Sequence, residues 1–92
     1  MNHYILEYQL HQDYLRLRED HRLDHFNLIK RFKASGELLM GGATTNHIEA
    51  YLIFKCASED RVEDFVKHDP YVTNHVVTDW VIKPWNMVTE DI

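Results

Sequence analysis

Residues Tyr4 to Leu10 alternate strictly. Tyr4, Leu6, Tyr8 and Leu10 fall on one face, with Ile5, Glu7 and Gln9 on the other, which is the period of a β-strand. From about Glu19 to Ser35 the apolar spacing changes to three and four, predicting a helix, and Gly36 supplies its stop. Glu37–Ala43 and Glu49–Ala57 read as two more strands joined by the hairpin loop Thr44-Thr45-Asn46-His47. Ser58 is a good N-cap, followed by Glu59 and Asp60 where a helix dipole favours acids. Val62, Phe65 and Val66 then mark a short helix to about Lys67, which Pro70 ends. Val76 to Lys83 alternates again, and Pro84 closes that strand.

The order is β-α-β-β-α-β. Right-handed crossovers turn it into a four-stranded antiparallel sheet with both helices on one face, a ferredoxin-like α+β fold. Two helices cover only one face, yet both faces of the strands carry Tyr, Ile, Val and Trp. A second copy of the same sheet is the simplest cover, so the expected assembly is a homodimer through sheet faces, open to higher oligomers. Nothing divides the chain, and residues 1–92 read as one domain.

Composition narrows the function. Ten Lys and Arg against fifteen Asp and Glu give a net charge of −5, opposite to the footprint of a nucleic-acid binder, and no polybasic segment suits an anionic membrane. No apolar run approaches the ~20 residues of a bilayer span. The amino-terminal stretch has His and Glu within its first seven residues and reads as a strand, not a signal peptide, so the expected location is cytoplasmic. The single Cys56 sits in an apolar run, as a buried hydrophobe does, and no Cys/His zinc spacing occurs.

On a wheel of about 100° per residue, Phe26, Leu28, Ile29 and Phe32 span one arc of the first helix, and His25 falls inside it. His21 lies near its edge, with Arg22 beside it. Three readings follow for His25: a core histidine bonded to a backbone carbonyl, half of a metal site with His21, or a general base between helix and sheet. The second lacks a carboxylate at local spacing. The third requires an orienting carboxylate. Asp69 of "HDPYV" initiates a turn by its own local chemistry, and it meets His25 if the two helices run antiparallel. The other histidines are scattered, which gives little support to a heme or redox role.

Four segments, "RLDHF" (22–26), "SGELLMGGA" (35–43), "HDPYV" (68–72) and "WVIKPW" (80–85), occur in register over most of the chain. Together they resemble the YciI-like proteins of the dimeric α/β-barrel superfamily, relatives of muconolactone isomerase. The resemblance implies a ferredoxin-like protomer packed sheet to sheet with a second, and a His-Asp pair that falls here on His25 and Asp69. It matches Arg22 to the arginine that commonly precedes the histidine, and Pro70-Tyr71 to the turn. On this reading His25 and Asp69 carry acid/base chemistry of isomerase, lactone or HX-elimination type on a small cyclic or aromatic acid or phenol. Arg22 binds an anionic group, and Tyr71 and Trp80 line the site. No metal or cofactor is called for. The alternative is a dimeric module that binds a small molecule, or is purely structural, without catalysis. "GGATTNH" is shorter than the corresponding loop of many relatives and lacks their Gly-Pro, so substrate identity does not carry over.

Overall fold

A computed structural model describes residues 1–92. In order, the elements are β1 (Asn2–Leu10), α1 (Tyr14–Leu17), a 3-10 turn (Arg18–His21) and α2 (Arg22–Ala34). Then come β2 (Leu38–Ala43), β3 (Glu49–Cys56), α3 (Glu59–His68), α4 (Pro70–Thr73), β4 (Val77–Trp85) and a last 3-10 turn (Val88–Asp91). The strands form one antiparallel sheet in the order β2-β3-β1-β4. This is the ferredoxin-like α+β arrangement read from the sequence.

Alternation decides which side chains meet the helices. Tyr4, Leu6, Tyr8 and Leu10 of β1 are buried with Ala50, Leu52, Phe54 and Cys56 of β3, because cross-strand partners share a face. Phe32 of α2, Phe54 of β3 and Phe65 of α3 lock the two layers together edge to face, with centroids 5.2–6.3 Å apart. The Cys56 thiol is fully buried and donates to the Ser58 carbonyl at 3.3 Å. Burial pushes its pKa up, which suits an inert core residue.

Gly36 ends α2 with φ +83°, which lets Glu37 N–H reach the Phe32 carbonyl (3.1 Å) and Gly36 N–H reach that of Lys33 (3.0 Å). That pair of bonds is the Schellman closure expected of a glycine stop. Three local expectations need correction. The helix expected from Glu19 begins at Arg22, because the preceding turn tightens to 3-10 and the backbone leaves helical geometry at His21 (φ −120°, ψ −2°). Ser58 occupies the N-cap of α3, but its side chain makes no capping bond. Pro84 does not close the last strand but lies inside it, opposite Tyr4. β4 is an edge strand, where a residue without an N–H interrupts no ladder on the outer side.

The second sheet face is uncovered over much of its area. Tyr51, Val81 and Trp85 are exposed there, beside half-buried Ile5 and Ile53. At one end the last 3-10 turn folds back, and Glu90 meets Lys55 at 2.7 Å and His3 at 3.0 Å. No helix is long and apolar enough to cross a membrane.

Candidate active site

Eighteen of the twenty buried residues are apolar or tyrosine; the other two are His25 and Asp69. They meet. Nδ1 of His25 lies 2.8 Å from Oδ1 of Asp69, across forty-four positions of sequence. The two side chains are thus within hydrogen-bond reach of one another.

The Asp-Pro-Tyr sequence explains how the carboxylate gets there. A residue before proline avoids helical geometry, so Asp69 is extended (φ −78°, ψ 113°) and terminates α3. Pro70 then occupies the first turn of α4, where a missing N–H costs nothing, and Asp69 caps that helix by accepting from Tyr71 N–H at 3.0 Å. The reversal between the two helices turns the side chain inward. On its other oxygen, Asp69 accepts the Tyr8 hydroxyl at 2.8 Å. Three donors thus converge on a fully buried carboxylate, which is how a protein retains such a charge. Desolvation, then the neighbouring Asp69 charge and hydrogen bond, push the Tyr8 pKa far above the usual tyrosine range.

A carboxylate only accepts, so this network assigns the proton of His25 to Nδ1 and leaves the lone pair on Nε2. Nε2 has no partner within the chain and is not sealed from the cavity that His25 lines. Tyr71 stacks on the imidazole at 3.7 Å and 7°, fixing its plane. Burial, then the Tyr14 charge, hold the Tyr71 hydroxyl protonated, with its pKa pushed up to about 12.

The cavity, about 360 Å³, lies between α2 and the β2–β3 part of the sheet. Its existence follows from small side chains. The inward positions of β2 beyond Leu38 are Gly41 and Ala43, which pair with Leu52 and Ala50. Past Leu38, no bulky side chain rises from the inward positions of that strand toward the helix above. A Cβ at Gly41 would sit 3.1 Å from Leu52 Cγ, so the floor is already close-packed beneath the void. This volume lies within the ordinary range for small-molecule pockets.

Arg22 lines the cavity, its guanidinium 5.0 Å over the Phe26 ring. Phe26, expected in the buried arc, is 40% exposed at the cavity mouth; His25, Leu28 and Phe32 form the buried stripe instead. The expectation that Trp80 lines the site is not met. It stands opposite Tyr8 on β4, 41% exposed, at the sheet edge remote from β2, and the cavity does not reach it. Sequence reasoning missed Tyr8 and Arg18, both of which line the cavity. Tyr8 had a signal: a tyrosine on the inward face of a central strand needs a partner for its hydroxyl. No cluster of three His, Cys, Asp or Glu side chains is placed to hold a metal.

Comparison with known proteins agrees with the fold. Among solved structures, 5-chloro-2-hydroxyhydroquinone dehydrochlorinase (TftG) from Burkholderia phenoliruptrix, in complex with 2,5-dihydroxybenzoquinone, is similar in fold. The TM-score is 0.76 at 20% identity, covering 91% of this chain and 93% of that one. No curated protein matches the sequence. The model of the YCII-related domain matches residues 1–86, and the chain belongs to that family.

Proposed function

We propose that the protein is a cofactor-independent enzyme that moves a proton on a small cyclic or aromatic organic acid or phenol, with His25 as the base. The observation that carries this reading is the orientation of one ring: Nδ1 is held by a buried carboxylate, and Nε2 is left free at the cavity. A base so held takes a proton on Nε2 without reorienting, and Asp69 stabilises the imidazolium that forms. The largely apolar lining lowers the local dielectric, which strengthens that electrostatic effect. Return of the proton to another atom gives isomerisation, and loss of a leaving group gives elimination. The dehydrochlorinase of similar fold, crystallised with a dihydroxybenzoquinone, lends support to ring substrates of this size. Arg22 holds an anionic group at the mouth, and Tyr71 orients the imidazole from behind.

A direct test is carbon-bound hydrogen exchange. Cyclic acids and phenols, 2,5-dihydroxybenzoquinone among them, are incubated in D2O and followed by NMR. The protein should exchange one ring or α-hydrogen, and His25→Ala should slow that exchange about 10²–10⁴-fold. Unchanged exchange in His25→Ala would remove the enzyme reading and leave a binding module.

We propose further that two copies pack through the uncovered sheet face, as the exposed Val81 and Trp85 beside Ile5 and Ile53 suggest. Sedimentation at micromolar concentration should give twice the 11.0 kDa chain mass; a single species at the chain mass would overturn it.

A further inference from the structure

In a chain with fifteen acidic and ten basic residues, the cavity beside His25 is lined by Arg18, Arg22 and Lys33 and by no Asp or Glu. Of the three other arginines, two direct their guanidinium groups to carboxylates. Arg16 pairs with Asp13 at 3.2 Å, and Arg61 forks onto Glu37 at 2.8 and 2.9 Å. The two arginines at the cavity do neither. Arg18 lies over the Tyr14 ring at 5.1 Å, and Arg22 over Phe26 at 5.0 Å. Both are positioned by aromatic faces, which leave the N–H donors unused.

Arg18 pays a visible cost for its position. Its side chain is only 21% exposed, its Nε is buried without an acceptor, and the nearest carboxylate oxygen, on Glu19, is 3.9 Å away. A buried donor left unpaired is unfavourable. It persists here on the wall of a cavity, four residues before Arg22, and Tyr71 lines the same cavity. Both guanidinium charges also bear on the Tyr71 hydroxyl, which places them near the ring that stacks on His25.

Resting on the reading of the His25 cavity as a site for small ring compounds, we infer that its ligand carries a carboxylate, clamped between Arg18 and Arg22. The ring then lies over the Gly41–Ala43 floor within reach of His25 Nε2. This selects ring carboxylates from the broader set of acids and phenols and gives Arg18 a substrate-binding role. The chemistry of the two groups favours it over a lone anionic oxygen: each guanidinium on the cavity wall is a planar fork whose paired donors suit paired oxygens.

Benzoate and its neutral isostere benzamide separate the possibilities. Each is titrated into the protein at low ionic strength, with affinity read by calorimetry and the site by NMR shifts of the His25 imidazole. Benzoate should bind at least about tenfold more tightly than benzamide, and added salt should erode the difference. Arg18→Met should weaken benzoate by about tenfold or more and leave benzamide unchanged. Should Arg18→Met fail to fold, Arg18→Lys serves, since it keeps the charge but loses the fork and should cost benzoate selectively. Equal affinities with His25 shifts from both compounds would overturn the clamp and leave the cavity reading standing. Benzoate affinity unchanged in either Arg18 variant would do the same. No His25 shift with either compound would overturn both.

Discussion

The protein contains two histidine–aspartate pairs, and they differ in almost everything but chemistry. His68 and Asp64 stand one turn apart on α3, 3.4 Å between ring and carboxylate, and both are well exposed. His25 and Asp69 are distant in sequence, 2.8 Å apart and buried. In the first pair, water competes for every lone pair, and such helical surface pairs contribute about 0.3–0.5 kcal/mol. In the second, Tyr8 and the Tyr71 backbone saturate the carboxylate, Tyr71 fixes the ring plane, and a cavity faces the free nitrogen. What separates the two pairs is what surrounds them, not their chemistry.

The sharpest way to break that contrast is to remove each aspartate. Asp69→Ala strands three donors in the interior and should destabilise the fold by about 3–5 kcal/mol, measured by urea unfolding. Asp64→Ala should fall within about 0.5 kcal/mol of the parent. Comparable losses in the two would mean that the buried network is not special. Next in size, Tyr8→Phe leaves one carboxylate oxygen unpaired and should cost about 1–3 kcal/mol. It should also slow proton exchange, because Asp69 is then free to turn; full activity would show that Oδ1 alone orients His25.

Alkaline pH probes the same side of the molecule. The folded pKa of Tyr71, about 12, lies above its ordinary value of 10.0, so the native state favours the protonated phenol. Its contribution to stability is therefore complete below pH 10 and lost as pH rises toward 12. The urea midpoint should fall across that window, and less steeply in Tyr71→Phe; parallel curves would refute the assignment. Smallest of all, Gly41→Ala should change stability by about 1 kcal/mol or less, the gain in backbone order offset by the 3.1 Å approach to Leu52. It should nevertheless weaken binding of ring ligands, which calorimetry would detect.

Much of this was legible in the sequence, for reasons that can be named. Alternation assigned the inward faces of β1 and β3 because period two has no competing interpretation over so many residues. Gly36 marked a helix stop that only a left-handed residue closes so well. His25 was legible as inward-facing from its place four and seven residues before Ile29 and Phe32; Asp69 by its own chemistry was legible only as a turn initiator, and its pairing with His25 came from the family resemblance. What escaped depended on contacts between distant elements. Tyr8 looks like any strand aromatic until α4 delivers a carboxylate to it. Arg18 was invisible because it lies just before the helix expected from Glu19, in a 3-10 turn that the apolar pattern does not announce. Trp80 was misplaced because alternation reports the face of a strand, not its rank across the sheet, and β4 is the edge remote from the cavity.

The bare floor at Gly41 and Ala43 has a consequence for how such proteins diversify. His25 stands on the helical layer, while the space in front of it is set by the opposite, strand layer. A lineage can therefore change the size of ring it accepts through one or two added methyl groups on β2, with His25 and its supports untouched. On the proposed function, ring size is set on the strand wall and can drift without His25, while selection for a carboxylate stays on the helical wall with Arg18 and Arg22.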